Sequence, residues 1–398
     1  MPQISDRAQV MPASPIRKLV PYAEAAKARG THVFHLNIGQ PDIQTPASYW
    51  EAIDRAEIKV LAYSHSAGIA PLRQAIATYY QSVGQDIHSE QVIVTTGASE
   101  ALNFVFAACL NPSDEVIVPE PFYANYNSFS IASNVKVKPI TTRIEEDFAL
   151  PSIEAFEELI TPNTKAILIC NPGNPTGILY RPEELAQLKE IVLKHDLFLI
   201  ADEVYREFVY DDLAHQSVLG LAGLEEHVIV TDSISKRFSA CGARIGCVVS
   251  RNEAVMAGVM KLAQARLSPP TLGQLGAEAV YALPPSFYQA VNQEYRQRRD
   301  LLVSLLQEID GVIVPKVNGA FYAMVQLPVD DSEKFCQWML ESFDYEGQTV
   351  MVAPGAGFYA TPGLGQQEVR IAYVLNEADL TRAMACLKAG LAAYPGRR

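Results

Sequence analysis

Between Thr231 and Gly246 the chain reads TDSISKRFSACGARIG, which gathers the hydroxyls of Ser233 and Ser235, the amine of Lys236 and the guanidinium of Arg244. Hydroxyls and a guanidinium are groups that hold a phosphate. A lysine amine among them is placed to bond an aldehyde carried by the phosphorylated molecule. The plainer alternative is a basic turn. Further polar residues close apolar runs. LFLIADEVYREFVY ends an apolar stretch in Asp202 and sets Tyr205 three residues on. A carboxylate there is partly desolvated and calls for a cation or hydrogen bond, or it simply caps a helix. LICNPGNPTG ends another run in a turn-rich segment with Asn171, Asn174 and Gly177. In TTGASEAL, Gly97, Ala98 and Ser99 stand where a strand turns into a helix, and free amides with the helix dipole attract an anion there. Ser99 taken alone is equally a cap.

The elements that must position these residues are legible as short β-branched runs alternating with helical patterns. QVIVTTG (91–97), DEVIVP (114–119), TKAILIC (164–170), LFLIADE (197–203), HVIVTDS (227–233) and RIGCVVS (244–250) are apolar throughout. Continuous rather than alternating hydrophobicity predicts strands covered on both faces. SEALNFVFAACL (99–110) and PEELAQLKEIVLKHD (182–196) have helical spacing. The alternation predicts a mostly parallel sheet wrapped by helices, with ligands at the carboxyl ends of the strands. Beyond about residue 290 the texture changes. A charged helix pattern (288–309) leads to GAFYAMVQL (319–327), QTVMVAP (348–354), EVRIAYV (368–374) and a last helix (377–394), the composition of a smaller α+β domain.

Composition narrows the function. Of 398 residues, 49% are hydrophobic and 19% charged, which places the chain among globular proteins. A formal charge of −13 opposes nucleic-acid or anionic-membrane partners at long range. Any arginine that binds an anion must then act locally. No run approaches the roughly 20 apolar residues of a membrane span. The six cysteines are scattered without a CxxC, as expected of core residues in a reducing compartment, and a cytoplasmic enzyme is the expectation. The seven histidines, His65 beside Tyr63 among them, show neither metal spacing nor pairing with a nucleophile, so no metal is expected. VAPGAGFYA (352–360) has the G-x-G-x-x-A form of a dinucleotide fingerprint but runs into TPGLGQQ, where proline and glycine break the helix that a fingerprint must open. A nicotinamide site is not expected there.

Nine segments in order resemble the class I aminotransferases, the pyridoxal 5'-phosphate (PLP) enzymes of fold type I, over nearly the whole chain. They are LNIGQPDIQTP (36–46), YSHSAGIAPLR (63–73), TTGASEAL (95–102), PEPFYANY (119–126), NPGNPTG (171–177), ADEVYREF (201–208), SISKRFSACGARIG (233–246), GAFYAMV (319–325) and EVRIAYV (368–374). The resemblance implies an α/β fold: a large PLP-binding domain over 46–290 with a mostly parallel seven-stranded sheet flanked by helices. A smaller α+β domain would be made of 1–45 and 291–398.

Roles follow from the same resemblance. Lys236 matches the lysine that bonds the cofactor aldehyde and moves the substrate proton. Asp202 matches the carboxylate facing the pyridine nitrogen, and Tyr205 with Asn174 the pair at the ring's phenolic oxygen. Tyr123 falls where an aromatic ring stacks on the cofactor, with Phe122 and Tyr126 as competitors for that place. Ser233, Ser235, Arg244 and the Gly97, Ala98 and Ser99 backbone match the phosphate cradle. Arg370 and Gly39, with Asn174, match the binders of the substrate α-carboxylate. Tyr63 matches a tyrosine that reaches the neighbouring subunit's cofactor phosphate, which implies a homodimer with shared sites.

The expected activity is ping-pong transfer of an amino group from an L-amino acid, aspartate first, to a 2-oxo acid, 2-oxoglutarate first. Alanine, aromatic or other donors, or a carbon–sulfur lyase on the same fold, are the alternatives. A side-chain carboxylate would call for a second arginine. Arg266 in AQARLSPPTLG is the nearby candidate, with a helix-end arginine bonded to carbonyls as its alternative. In KRFSACGAR, Arg237 has no assignment and Cys241 is expected to pack.

Overall fold

The computed structural model describes residues 2–398. Among the described residues twelve strands follow one another: β1 (His32–His35), β2 (Val92–Thr95), β3 (Glu115–Glu120), β4 (Lys136–Thr141), β5 (Thr164–Cys170), β6 (Phe198–Asp202), β7 (Val228–Ser233), β8 (Gly246–Val249), β9 (Tyr322–Gln326), β10 (Gln348–Met351), β11 (Ala353–Pro354) and β12 (Glu368–Ala372). Seven of them form one sheet in the order β2-β8-β7-β6-β5-β3-β4, in which only β8 runs against its neighbours. This is the expected mostly parallel seven-stranded sheet. A smaller antiparallel sheet has the order β11-β12-β9, and β1 pairs in parallel with β10.

The unbroken apolar runs are explained by where alternate side chains go. Along β5, Ala166, Leu168 and Cys170 enter one buried cluster, while Ile167 and Ile169 enter the cluster on the opposite face. Period two therefore feeds two cores at once, and no position is left for a polar residue. At the carboxyl ends the register aligns Cys170 with Asp202 and Asp202 with Thr231. The turns after β5, β6 and β7 thus leave the sheet side by side.

Three elements depart from the expected runs. QTVMVAP is not one strand: it splits at Val352, with β10 pairing β1 and β11 pairing β12 in another sheet. GAFYAMVQL becomes strand only at Tyr322, because Ala320 has φ 55° and turns the chain. RIGCVVS begins its strand at Gly246 because Arg244 has φ 54°. The charged helix begins earlier than its charge pattern, at Pro285, whose missing amide costs nothing in a first turn, and ends at Gln307. Among the described residues no helix is long and apolar enough to cross a membrane.

Candidate active site

The polar ends of β5, β6 and β7 open onto a cleft of about 620 Å³, within the size range of small-molecule sites. It is closed from the other side by β9 and β12 through Tyr322 and Arg370. Asp202 ends β6 at its floor, where its Oδ2 accepts from the Tyr126 hydroxyl at 2.8 Å and its Oδ1 from the Val204 amide at 3.4 Å. Burial raises the Asp202 carboxyl from 3.8 to about 6, against those two hydrogen bonds and the charge of Lys236. A carboxylate so desolvated favours a cation in front of it.

Tyr205 follows in the same turn. Its hydroxyl lies 2.9 Å from that of Tyr322 and 3.5 Å from the Asn174 side-chain amide. Burial holds its pKa well above the ordinary phenol value, so it stays protonated and able to donate. Arg370, on β12, is buried. Its Nη1 donates to Asn174 Oδ1 at 2.9 Å and its Nη2 to the Asn37 carbonyl at 2.6 Å, while Nε has no partner among the described residues. Donor capacity therefore remains for a carboxylate, and the guanidinium fork suits one.

Lys236 stands in the short turn of helix after β7 (Ile234–Arg237), and its Nζ donates to the Gly39 carbonyl at 2.7 Å. Near it, Ser233 Oγ is 2.8 Å from both Ser235 Oγ and the Ile245 carbonyl and accepts from the Ser235 amide. Ser233 is therefore largely spent on the turn, and Ser235 is the freer hydroxyl. Gly97 has φ 77°, and a Cβ there would lie 2.3 Å from Arg244 Nη2. A Cβ on Gly246 would lie 2.7 Å from the Ala98 amide nitrogen. Glycines thus let the guanidinium and the first-turn amides of the helix Ala98–Cys109 share one small space. Arg244 itself donates to the carbonyls of Cys241 at 3.0 Å and Thr96 at 3.3 Å.

Of the expected residues, Lys236, Asp202, Tyr205, Asn174, Tyr123, Ala98, Ser99, Ser233, Ser235, Arg244, Gly39 and Arg370 all line this cleft. Gly97 borders it through Arg244. Tyr63 stands apart and is 80% exposed. Tyr123 faces the cleft, whereas Tyr126 is buried below it on Asp202 and Phe122 packs into the core. Arg266 does not reach the cleft. It ends the helix Glu253–Arg266 paired with Glu100 at 2.6 Å and donating to the Ser66 and Val94 carbonyls, the helix-end alternative.

Cys241 corrects its expectation. The turn that precedes Arg244 brings it into the cleft, with Sγ donating to the Ser235 carbonyl at 3.1 Å and lying 3.8 Å from Lys236 Nζ. Arg237 points the other way, fully buried against Asp232 at 2.7 Å and over the Tyr79 ring at 4.3 Å. Motifs assigned no role to Tyr322, Asn37 or to Ser14, Ile16 and Arg17 of the amino-terminal segment, and offered Tyr126 only as an alternative to Tyr123, not as the partner of Asp202. Tyr126, Tyr322 and Asn37 lay inside quoted motifs; the segment 14–17 carried no signal.

The donor set fits PLP group by group: a phosphate for the cradle, a protonated ring nitrogen for the desolvated Asp202, and an aldehyde for Lys236. Comparison with known proteins agrees in kind. Residues 31–387 match the family model described as aminotransferase class I and II. The aspartate aminotransferase of Pyrococcus horikoshii is 32% identical over 389 residues, 96% of this chain and 95% of that protein. Aromatic-amino-acid aminotransferase 2 of Thermococcus litoralis is 31% identical, with 96% of each chain covered. The structure of aspartate aminotransferase from Thermus thermophilus with maleate superposes with a TM-score of 0.89 at 30% identity, covering 98% of this chain and 100% of that one.

Proposed function

Because the chain belongs to the class I and II aminotransferases, we propose that it uses PLP to move the amino group of an L-amino acid, aspartate first, to 2-oxoglutarate. The observation that carries this is the convergence of Lys236, Asp202, Arg370 and an anion cradle on one cleft at the strand ends. PLP, when bound, supplies a carbonyl that captures the amino nitrogen and a ring that accepts the electrons released as the Cα–H bond breaks.

The chain's own groups do the rest. Arg370, with Asn174 and the Gly39 backbone, binds the α-carboxylate and so fixes which Cα bond faces Lys236. Lys236 Nζ, freed by the substrate amine, would take the Cα proton and deliver it to the cofactor carbon that had carried the aldehyde. Asp202 holds the proton on the ring nitrogen, with Tyr126 keeping its second oxygen in place. Tyr205 donates to the phenolic oxygen and Asn174 supports it. Tyr123 covers one ring face, while Ser235, Arg244 and the amides at Ala98 and Ser99 hold the phosphate. One site serves both half-reactions, so donor and acceptor alternate in it.

We extend the proposal to a homodimer. Tyr63 at 80%, Val60 at 78% and Leu61 at 61% exposure leave an apolar face that favours burial against a second copy. There Tyr63 would reach the partner's phosphate cradle. The test is an initial-rate study with L-aspartate and 2-oxoglutarate. Parallel double-reciprocal lines and formation of L-glutamate support the proposal. Intersecting lines, or turnover with L-phenylalanine or L-alanine but not L-aspartate, contradict the mechanism or the donor respectively.

A further inference from the structure

We propose that Arg17 binds the side-chain carboxylate of a dicarboxylic amino acid, so that the amino-terminal segment selects the substrate class. This rests on the aminotransferase reading above and names the selector within that site. The argument begins with charge. In a chain of net charge −13, the cleft is lined by four cations, Arg17, Lys236, Arg244 and Arg370, against one carboxylate, Asp202. Under the proposed reaction Arg244 faces a phosphate, Arg370 an α-carboxylate, and Lys236 is the reacting amine. Arg17 is the remaining cation. It is exposed, and among the described residues no carboxylate lies within ion-pair distance of it.

Its position is built rather than accidental. The residues on both sides of Arg17 are pinned while its own side chain is not. Ile16 offers its carbonyl to Asn37 Nδ2 at 3.0 Å, Lys18 pairs with Glu333 at 2.5 Å and Leu19 is buried. Pro15 packs so closely on Gly357 that a Cβ there would lie 2.2 Å away. Asn37 also gives its backbone carbonyl to Arg370 Nη2 at 2.6 Å. One residue therefore ties the segment carrying Arg17 to the arginine that takes the α-carboxylate. Ile16 and Ile38 also line the cleft and suit the methylene groups that separate two carboxylates. Arg266, spent on Glu100 and backbone carbonyls, leaves that role open.

The test uses PLP-loaded protein with Arg17→Met, which keeps an unbranched stem and removes the charged head group, and Arg17→Lys. Two readouts are compared: kcat/KM for L-aspartate, L-glutamate and L-alanine, and binding of succinate and propionate by calorimetry. The proposal predicts that the aspartate-to-alanine ratio in R17M falls about 10- to 100-fold, with succinate affinity falling alongside, as for loss of a charge-assisted pair. R17K should recover part of the loss. An unchanged ratio, or an equal fall for all three amino acids as expected of a cation that only attracts anions to the cleft, overturns it. If the wild-type protein transfers from none of them, the proposed function fails, and succinate decides Arg17 separately. Equal succinate binding by wild type and R17M, or none by either, overturns the assignment.

Discussion

Arg370 on β12 and Asn174 in the turn after β5 are joined by a 2.9 Å hydrogen bond that links the small antiparallel sheet to the seven-stranded one across the cleft. The Tyr205–Tyr322 contact at 2.9 Å makes a second link of the same kind. Groups proposed for the substrate and for the cofactor ring are thus held against each other by two different sheets. Arg370→Ala should lower kcat/KM for the amino acid by about 100-fold or more, as for loss of a buried charged contact. PLP should remain bound, since the phosphate cradle is built from other elements. Steady-state kinetics with saturating PLP checks this, and a loss of cofactor instead of substrate affinity would contradict it.

Asp202→Asn keeps the shape of the side chain and removes the charge proposed to hold a proton on the ring nitrogen. PLP binding should persist, while kcat falls about 100-fold or more, in line with removal of a preorganised electrostatic group. Tyr126→Phe, which removes the 2.8 Å donor to Asp202, should have a smaller effect in the same direction. Single-turnover kinetics with the loaded variants separates binding from chemistry.

Gly97→Ala tests the cradle. The new Cβ would meet Arg244 Nη2 at 2.3 Å, and the backbone already sits at φ 77°. Strain of about 1–3 kcal/mol is expected from an alanine at φ 77° and ψ 169°, a combination that glycine adopts almost alone. PLP affinity, measured by equilibrium titration, should drop more than affinity for pyridoxal, which lacks the phosphate. An equal drop for both would place the phosphate elsewhere.

Glu203, beside Asp202 but turned into the opposite core, makes stability depend on pH. Burial raises its carboxyl from 4.5 to about 7, partly offset by Arg206 and by hydrogen bonds from the Val218 amide and Ser217. Between those values the folded chain binds more protons than the unfolded one, so stability falls as pH rises through about 4.5 to 7. At about 1.4 kcal/mol per unit the effect is at most about 3.5 kcal/mol. His215, 3.9 Å away and held neutral by burial, acts in the opposite sense, losing stability as pH drops below its ordinary value. Glu203→Gln should therefore remove the fall in stability between about pH 4.5 and 7 that the wild type shows. Urea unfolding of both proteins at pH 5 and pH 8 checks this, and equal changes between the two would contradict it.

What the sequence disclosed and what it hid have physical causes. Strands buried on both faces announce themselves as unbroken apolar runs, so β2, β3 and β5 to β8 were legible. The edge strand β4 was not, because Lys136, Lys138 and Pro139 blunt it and give it the composition of a loop. The lining of the cleft was legible where the proposed chemistry requires one residue type, as at Lys236, Asp202 and Arg370. Tyr126 and Asn37 act by holding other groups, and their types are common in ordinary cores and turns. Arg17 escaped because its segment is ordered by contacts with residues far along the chain, Asn37, Glu333 and Gly357, which no local pattern encodes.

The most direct measurement is the visible absorption of the purified protein titrated with PLP, for the wild type and Lys236→Ala side by side, followed by L-aspartate and then 2-oxoglutarate. The account predicts a band of lysine-bound cofactor in the wild type that aspartate bleaches and 2-oxoglutarate restores. It predicts no such band and no transfer in the folded variant. The same band and the same bleaching in Lys236→Ala, or no band in the wild type, would contradict it.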